Sequence, residues 1–472
     1  MRFSRRKLEI FTSVNLASAM LYLDVGMTFV ALPIIKHKLG ITVYDAGLIL
    51  IVYFVVRTSA MSICGKLADS IGHRRVFLAG ILFFTAGTAL SGFVPGLGFL
   101  LAARVVQALG GAVIYTVTLV ILTTSFQEKE RARVFAFMEM VGGAAAICGP
   151  FIGGVMAGFM GGRAIFLVNV PIGIGAFLLC RKYLPRDEPQ KASYPEVRGS
   201  LLLLAFLTPL MLGLNHGNRW GWSSMVVFVL LGASALAGIL FFRHNAKTED
   251  PVLDLALFRG RYFAAGVAAS FALYAGTTAA IYVVPFFLEY HLGVSPHHTG
   301  LIMGLSAGTA ILSMYAGGWF SDRLGFTAPQ LAGLLTAAVS LTMLLLGGFS
   351  PRIGLVIAAI TVSGLSAGLF LPANYSAVMG RVPEGSLGMA AGIHSTIGSL
   401  GLIVGVVLAD FAMGSWDDLS GTMLNTPGFR EAIVLACLAG LAVIAAGTTA
   451  FLVITRKARK EDRATAARPE YE

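Results

Sequence analysis

Charge is what this chain has least of. Asp, Glu, Lys and Arg make up only 12% of its 472 residues, hydrophobic residues make up 56%, and mean hydropathy is +0.80. Soluble domains carry about 25% charged residues. Half that density cannot cover a water-facing surface, which excludes a soluble enzyme, a disordered chain and a fibrous protein. Cysteine is scarce as well. Cys64, Cys148, Cys180 and Cys437 sit in or beside apolar segments without CxxC spacing, so neither a disulfide framework nor a zinc site is indicated. There is no phosphate loop of the form GxxxxGKS or GxxxxGKT, because Gly65-Lys66 has Ala60 five residues before the glycine and Leu67 after the lysine. HExxH, GxSxG and metal-ligand clusters are also missing. The expectation is a chain that is not an enzyme and carries no metal and no cofactor.

What the chain has is long apolar runs. At roughly 20 residues per helical span there is room for about fourteen spans. Fourteen apolar segments lie between residues 11 and 455, from 11–33 to 432–455. The seventh and eighth, 200–215 and 223–242, are separated by a stretch holding Trp220 and Trp222. Tryptophans suit the interface of a membrane. The basic start, Arg2 to Lys7, has the look of a signal peptide, but Glu9 and Asn15 interrupt its apolar core and the run continues to Pro33. It reads as an uncleaved first helix. The fold class is an all-α polytopic membrane protein.

The net charge of +11 and pI near 9.6 would suggest nucleic acid in a soluble protein. Here the distribution argues otherwise. With the N-terminus inside, inner segments hold 27 Lys and Arg and outer loops hold 6, while Arg57 and Arg104 remain within spans. Cytoplasmic loops retain basic residues, so both termini are expected in the cytoplasm. Nucleic acid is not an expected partner.

The chain also repeats itself. Gly40 to Gly47 resembles Gly293 to Gly300, and Gly65 to Gly72 resembles Gly318 to Gly325, each at an offset of 253 residues. Asp69 and Asp322 occupy matching places. Helices 1–6 are therefore repeated as helices 9–14, with two helices inserted between. Parallel repeats of this kind mark transporters, with the substrate site between the halves. The expected divisions are an N-terminal six-helix bundle at 1–185, a linker with two extra membrane helices at 186–260, a C-terminal bundle at 261–456 and a basic tail at 457–472.

Four motifs carry a resemblance over nearly the whole chain. Gly65, Asp69, Gly72, Arg74 and Arg75, with Asp322 in the second copy, resemble motif A of the major facilitator superfamily. Asp69 is expected to cap a neighbouring helix or pair with Arg74 or Arg75. Arg104-Val-Val-Gln107-Ala-Leu-Gly110-Gly111 resembles motif B. Gly149, Pro150, Gly153 and Gly154 resemble motif C, the antiporter motif, with glycines that let a helix pack tightly against helix 8 or another neighbour. Leu23-Asp24 followed by Ala31-Leu32-Pro33 resembles the first helix of the fourteen-span drug:proton antiporter family, although Phe29 replaces its usual Asn. Phe166-Leu-Val-Asn169-Val-Pro171 and Asp250-Pro251-Val-Leu253 resemble two further segments of that family.

The resemblance implies two six-helix bundles in pseudo-twofold repeat plus two extra helices. It implies proton-coupled export of small amphipathic compounds by alternating access, driven by the proton gradient, from the bacterial cytoplasmic (inner) membrane. Partners would be a small-molecule substrate, protons, membrane lipids and possible use of a periplasmic adaptor protein. Burial favours a neutral acid and a nearby arginine favours the carboxylate, so an acid held between the two can exchange a proton. Asp24 is the leading candidate, and Arg104, Arg57 and Glu139 complete the proton-coupling set. A structural ion pair of Asp24 with Arg57 or Arg104 is the competing reading. Phe29, Gln107, Asn374, Tyr375 and His394 are the candidate cavity residues. Arg57 and the scarcity of acids in the spans also fit export of an endogenous metabolite, a siderophore or an anionic compound. Proton symport and a non-transporting membrane sensor are the remaining alternatives.

Overall fold

A computed structural model describes residues 4–93, 95–160, 164–185, 197–248, 251–253, 255–349, 352–380, 382, 387–413 and 427–466. Among them there is no strand. The first group of helices is α1 (Arg5–Leu39), α2 (Val43–Ile71), α3 (His73–Gly92), α4 (Leu97–Ser125), α5 (Glu128–Met160), α6 (Ala164–Leu167) and α7 (Asn169–Tyr183). A pair follows, α8 (Val197–Trp220) and α9 (Met225–Asn245). The second group is α10 (Arg261–Phe286), α11 (Pro296–Leu324), α12 (Thr327–Phe349), α13 (Ile353–Met379), α14 (Leu387–Met413) and α15 (Pro427–Ala466).

Among the described residues thirteen helices are long and apolar enough to cross a membrane. The fourteenth expected segment falls on α5, whose described apolar stretch, Met140–Met156, is shorter. A chain that must satisfy every backbone group within the bilayer has the helix as its available form. Local signals set the ends. Ser4, Ser224 and Ser295 cap α1, α9 and α11, and Thr42 with Asp45 forms a capping box on α2. The repeat is written in the backbone too. Gly40 and Gly293 have φ of 61° and 65°, and Gly72 and Gly325 have φ of 115° and 74°. Each pair lies 253 residues apart, at turns where a side chain would be strained.

The two groups pack alike. In the first, α1 lies on α5, and α4 lies on α2 and α3; in the second, α10 lies on α14, and α13 lies on α11 and α12. The groups meet along α5 with α11 and along α2 with α14. The inserted pair packs on itself and α8 touches α2 and α14. Its second member, α9, turns Phe228, Leu236 and Ile239 outward, as a lipid-facing helix would.

Three boundaries depart from expectation. The single sixth segment is broken into α6 and α7 at Val168, because Pro171 has no N–H to give the carbonyl of Leu167. Gly65, expected at a loop, lies inside α2. The last helix runs to Ala466, so the start of the basic tail is helical.

Candidate functional site

Between the two groups lies a cavity of about 230 Å³, lined by α1, α2, α5, α10, α11, α13 and α14. Tyr22, Val25, Gly26 and Phe29 line it from α1, and Phe54 and Arg57 from α2. Across from them stand Leu273, Ile281, Asn374, Tyr375, His394 and Ser399. Phe29 also meets the Tyr282 ring edge-on at 6.5 Å.

Asp24 and Thr28 lie on the other face of α1 and are 1% and 0% exposed. Helical geometry makes this necessary: residues 22, 25, 26 and 29 share one face, and 24 and 28 share another. Arg104, 1% exposed, answers them from α4. Its Nη1 donates to Asp24 Oδ2 at 2.8 Å and to Gln107 Oε1 at 2.8 Å, and its Nη2 donates to Thr28 Oγ1 at 2.7 Å. Asn169 Nδ2 donates to Asp24 Oδ1 at 3.0 Å from α7. The guanidinium also lies 4.9 Å from the centre of the Phe166 ring. Asp24 thus pairs with Arg104 and not with Arg57. Gln107 is a correction: it lies in this cluster, not on the cavity wall, because it stands one turn from Arg104 and points the same way.

The second group holds a neutral counterpart. Asn374 Nδ2 donates to Ser270 Oγ at 2.7 Å, and Gln330 Nε2 donates to Asn374 Oδ1 at 2.8 Å. Ser270 Oγ and His394 Nε2 are 2.9 Å apart. The Tyr375 ring packs edge-on against His394 at 5.5 Å. Asn374, Tyr375 and His394 all reach the cavity wall.

Arg57 is 5% exposed and bridges the groups, its Nη2 donating to Ser399 Oγ of α14 at 2.7 Å. The rings of Tyr53 and Phe54 lie 5.5 and 5.3 Å from it.

The glycines of the fifth helix pack where the chain crosses α1 and α11, not helix 8. A Cβ on Gly149 would stand 2.6 Å from the Leu23 carbonyl oxygen, and one on Gly153 3.0 Å from Met27 Cα. Gly154 abuts Gly300 of α11, and Pro150 lines the cavity. In the second group Gly401 and Gly405 pack on α10 in the same manner. At the α2–α3 corner, Asp69 Oδ1 meets His73 Nε2 at 2.9 Å, across the turn at Gly72. That corrects the expected pairing with Arg74 or Arg75. Arg74 Nη2 donates to the Arg181 carbonyl at 2.5 Å, and Arg75 is exposed. The side chains of Glu139 and Asp322 lie outside the described residues.

Sequence reasoning missed Thr28, Ser270, Gln330 and Ser399, and gave Asn169 no role. Asn169 was findable as an amide in an apolar span. A serine or threonine gives no such signal, since it bonds its own helix as readily.

A family description, Major Facilitator Superfamily, matches residues 14–256 and 266–470. The multidrug resistance protein Stp of Mycobacterium tuberculosis is 28% identical over 89% of this chain and 78% of its own length. The riboflavin transporter RibZ of Clostridioides difficile is 29% identical over 81% of this chain and 83% of its own. The tetracenomycin C resistance and export protein of Streptomyces glaucescens is 26% identical over 92% and 82%. Among solved structures, a bacterial homologue of the human lysosomal transporter Spinster, inward-facing and unoccupied, aligns over 96% of this chain and 98% of its own with a TM-score of 0.65 at 16% identity.

Proposed function

This integral membrane protein belongs to the Major Facilitator Superfamily, and from that premise we propose that it is a proton-coupled exporter of small amphipathic compounds, a drug:proton antiporter working by alternating access. The observation that carries this reading is the two-faced first helix. One face of α1 lines the cavity with Gly26 and Phe29; the other buries Asp24 against Arg104. Protonating Asp24 removes the charge that Arg104 faces, and the helix that must adjust is also the cavity wall. Arginine does not deprotonate in proteins, so Asp24 is the member of the pair that carries the proton. A membrane potential adds about 2.3 kcal/mol per charge per 100 mV to drive such a carrier. The names of two relatives, which speak of multidrug resistance and of export, support efflux over uptake. The chain sits on this reading in a bacterial inner membrane with both termini in the cytoplasm, and it needs no cofactor. A periplasmic adaptor protein is a further partner on this reading.

The test is transport in vesicles containing the purified chain. Asp24→Asn mimics the permanently protonated acid. It is expected to exchange substrate down its gradient, to lose uphill transport, and to release no protons when substrate is added. Asp24→Glu is expected to keep part of the activity with a shifted pH optimum. Uphill efflux at the wild-type rate by Asp24→Asn would remove Asp24 as the carrier.

A further inference from the structure

Among the described residues, Arg57 is the one Asp, Glu, Lys or Arg side chain on the cavity wall. It is 5% exposed, and no carboxylate of a described residue lies within ion-pair distance of it. Its Nη2 donates to the Ser399 hydroxyl at 2.7 Å, whereas its Nε has no hydrogen-bond partner. Nε and Nη2 are the two donors along one edge of the guanidinium. That edge grips a carboxylate with two parallel hydrogen bonds. Here a neutral hydroxyl occupies half of it, and Nε makes no hydrogen bond. Burying a cation without a counter-charge is unfavourable, and an arriving anion would supply one.

We propose that Arg57 is the carboxylate-binding residue of the cavity, and that the compounds carried are amphipathic organic anions: one carboxylate on an apolar body. This rests on the transport reading above. The carboxylate takes Nε and Nη2, and Ser399 is displaced from Nη2. The apolar body meets Phe29, Phe54, Ile281 and Leu402. Arg57 belongs to α2 and Ser399 to α14, so their bond ties the two halves across the cavity. Binding exchanges that tie for a bond to the substrate, so the compound to be carried releases the halves from each other. A cationic compound would meet Arg57 with like charge and would find no acid on the described wall.

The test uses the full chain in detergent and three probes with one ring system: naphthaleneacetate, its primary amide, and naphthalenemethylamine. Binding is measured by titration calorimetry near neutral pH. The acid is expected to bind at least about tenfold tighter than the amide or amine, the usual scale for a hydrogen bond to a charged group. Arg57→Gln is expected to abolish that preference, and Arg57→Lys to keep only part of it, because an ammonium has no fork. Ser399→Ala is expected to tighten the acid a few-fold by removing its competitor. That variant deletes no charge and keeps the proposal testable where Arg57→Gln fails to fold. Equal binding of acid and amide, tighter binding of the amine, no binding of the acid, or an unchanged preference in Arg57→Gln would each overturn the assignment. Vesicle transport separates the two readings. Arg57-dependent binding of the acid without its movement sinks the transport reading and leaves the site. Movement of neutral or cationic compounds with no preference for the acid does the reverse.

Discussion

Arg104 and Asp24 face each other at 2.8 Å with 1% exposure each. Removing one member of such a pair typically costs about 3–5 kcal/mol, since the other charge stays buried and uncompensated. Arg104→Gln is therefore expected to lower the thermal unfolding temperature sharply. The double variant Asp24→Asn with Arg104→Gln should recover part of the loss, with a coupling energy of about 1–3 kcal/mol for residues in direct contact. Strictly additive losses would show that the pair is not coupled. At this scale the sequence was half legible. Ionisable residues in apolar spans are rare and announce themselves, so Asp24, Arg57 and Arg104 stood out. Their pairing did not, because it turns on which face of α1 looks at α4. The Asp69 partner was misjudged for a similar reason: α2 runs to Ile71, and the turn at Gly72 brings His73, the first residue of α3, within reach of the carboxylate.

Helices in a bilayer gain no hydrophobic free energy by meeting, so they associate where small residues let backbones touch. Gly26 and Gly149 are such a contact. A Cβ on Gly149 would stand 2.7 Å from Gly26 Cα, and a side chain on Gly26 would collide with the Ala146 carbonyl oxygen. Gly232 on α9, by contrast, has nothing within 4 Å. Gly26→Val is expected to separate α1 from α5 and to destroy transport along with most of the folded protein. Gly232→Ala should be silent in both respects. Size-exclusion profiles and vesicle transport read the pair, and a folded, active Gly26→Val would deny that this crossing is close-packed. Element boundaries were legible wherever a turn demanded a glycine, as at Gly40, Gly72, Gly293 and Gly325. They were not legible where proline interrupted an apolar run. Pro171 breaks α6 from α7, and a π-helical turn, Phe287–His291, follows Pro285. Hydropathy reads side-chain polarity, not the backbone hydrogen bonding that changes at these two places.

At the scale of the molecule, the two halves are joined at the end where α1 stops and α2 starts. Tyr290 Oη donates to the Pro33 carbonyl at 3.0 Å, and Tyr282 Oη donates to the Val43 carbonyl at 3.3 Å. The Asp410 carboxylate rests on Gly47 and accepts from Asn215 of α8, while Arg219 of the same helix lies 3.6 Å from Asp45 of α2. The first inserted helix, α8, thus contacts both halves at this end. Gly154 meets Gly300 backbone to backbone in the seam, and a side chain there has no flexible neighbour to displace. The cytoplasmic termini that we propose make this the outer end, so opening it is the export step of alternating access. Gly154→Leu should therefore disfavour the closed seam and populate the state open to the outside. In a background with Cys64, Cys148, Cys180 and Cys437 replaced by serine or alanine, Thr278→Cys places a thiol on the cavity wall. A membrane-impermeant thiol reagent added to intact cells should label it faster when Gly154→Leu is also present. Uphill transport should fall, because the cycle then stalls with the outer seam open. Unchanged labelling with lost transport would reduce Gly154 to a local packing residue. Slower labelling would mean that the joined end faces the cytoplasm, and the proposed orientation would be reversed.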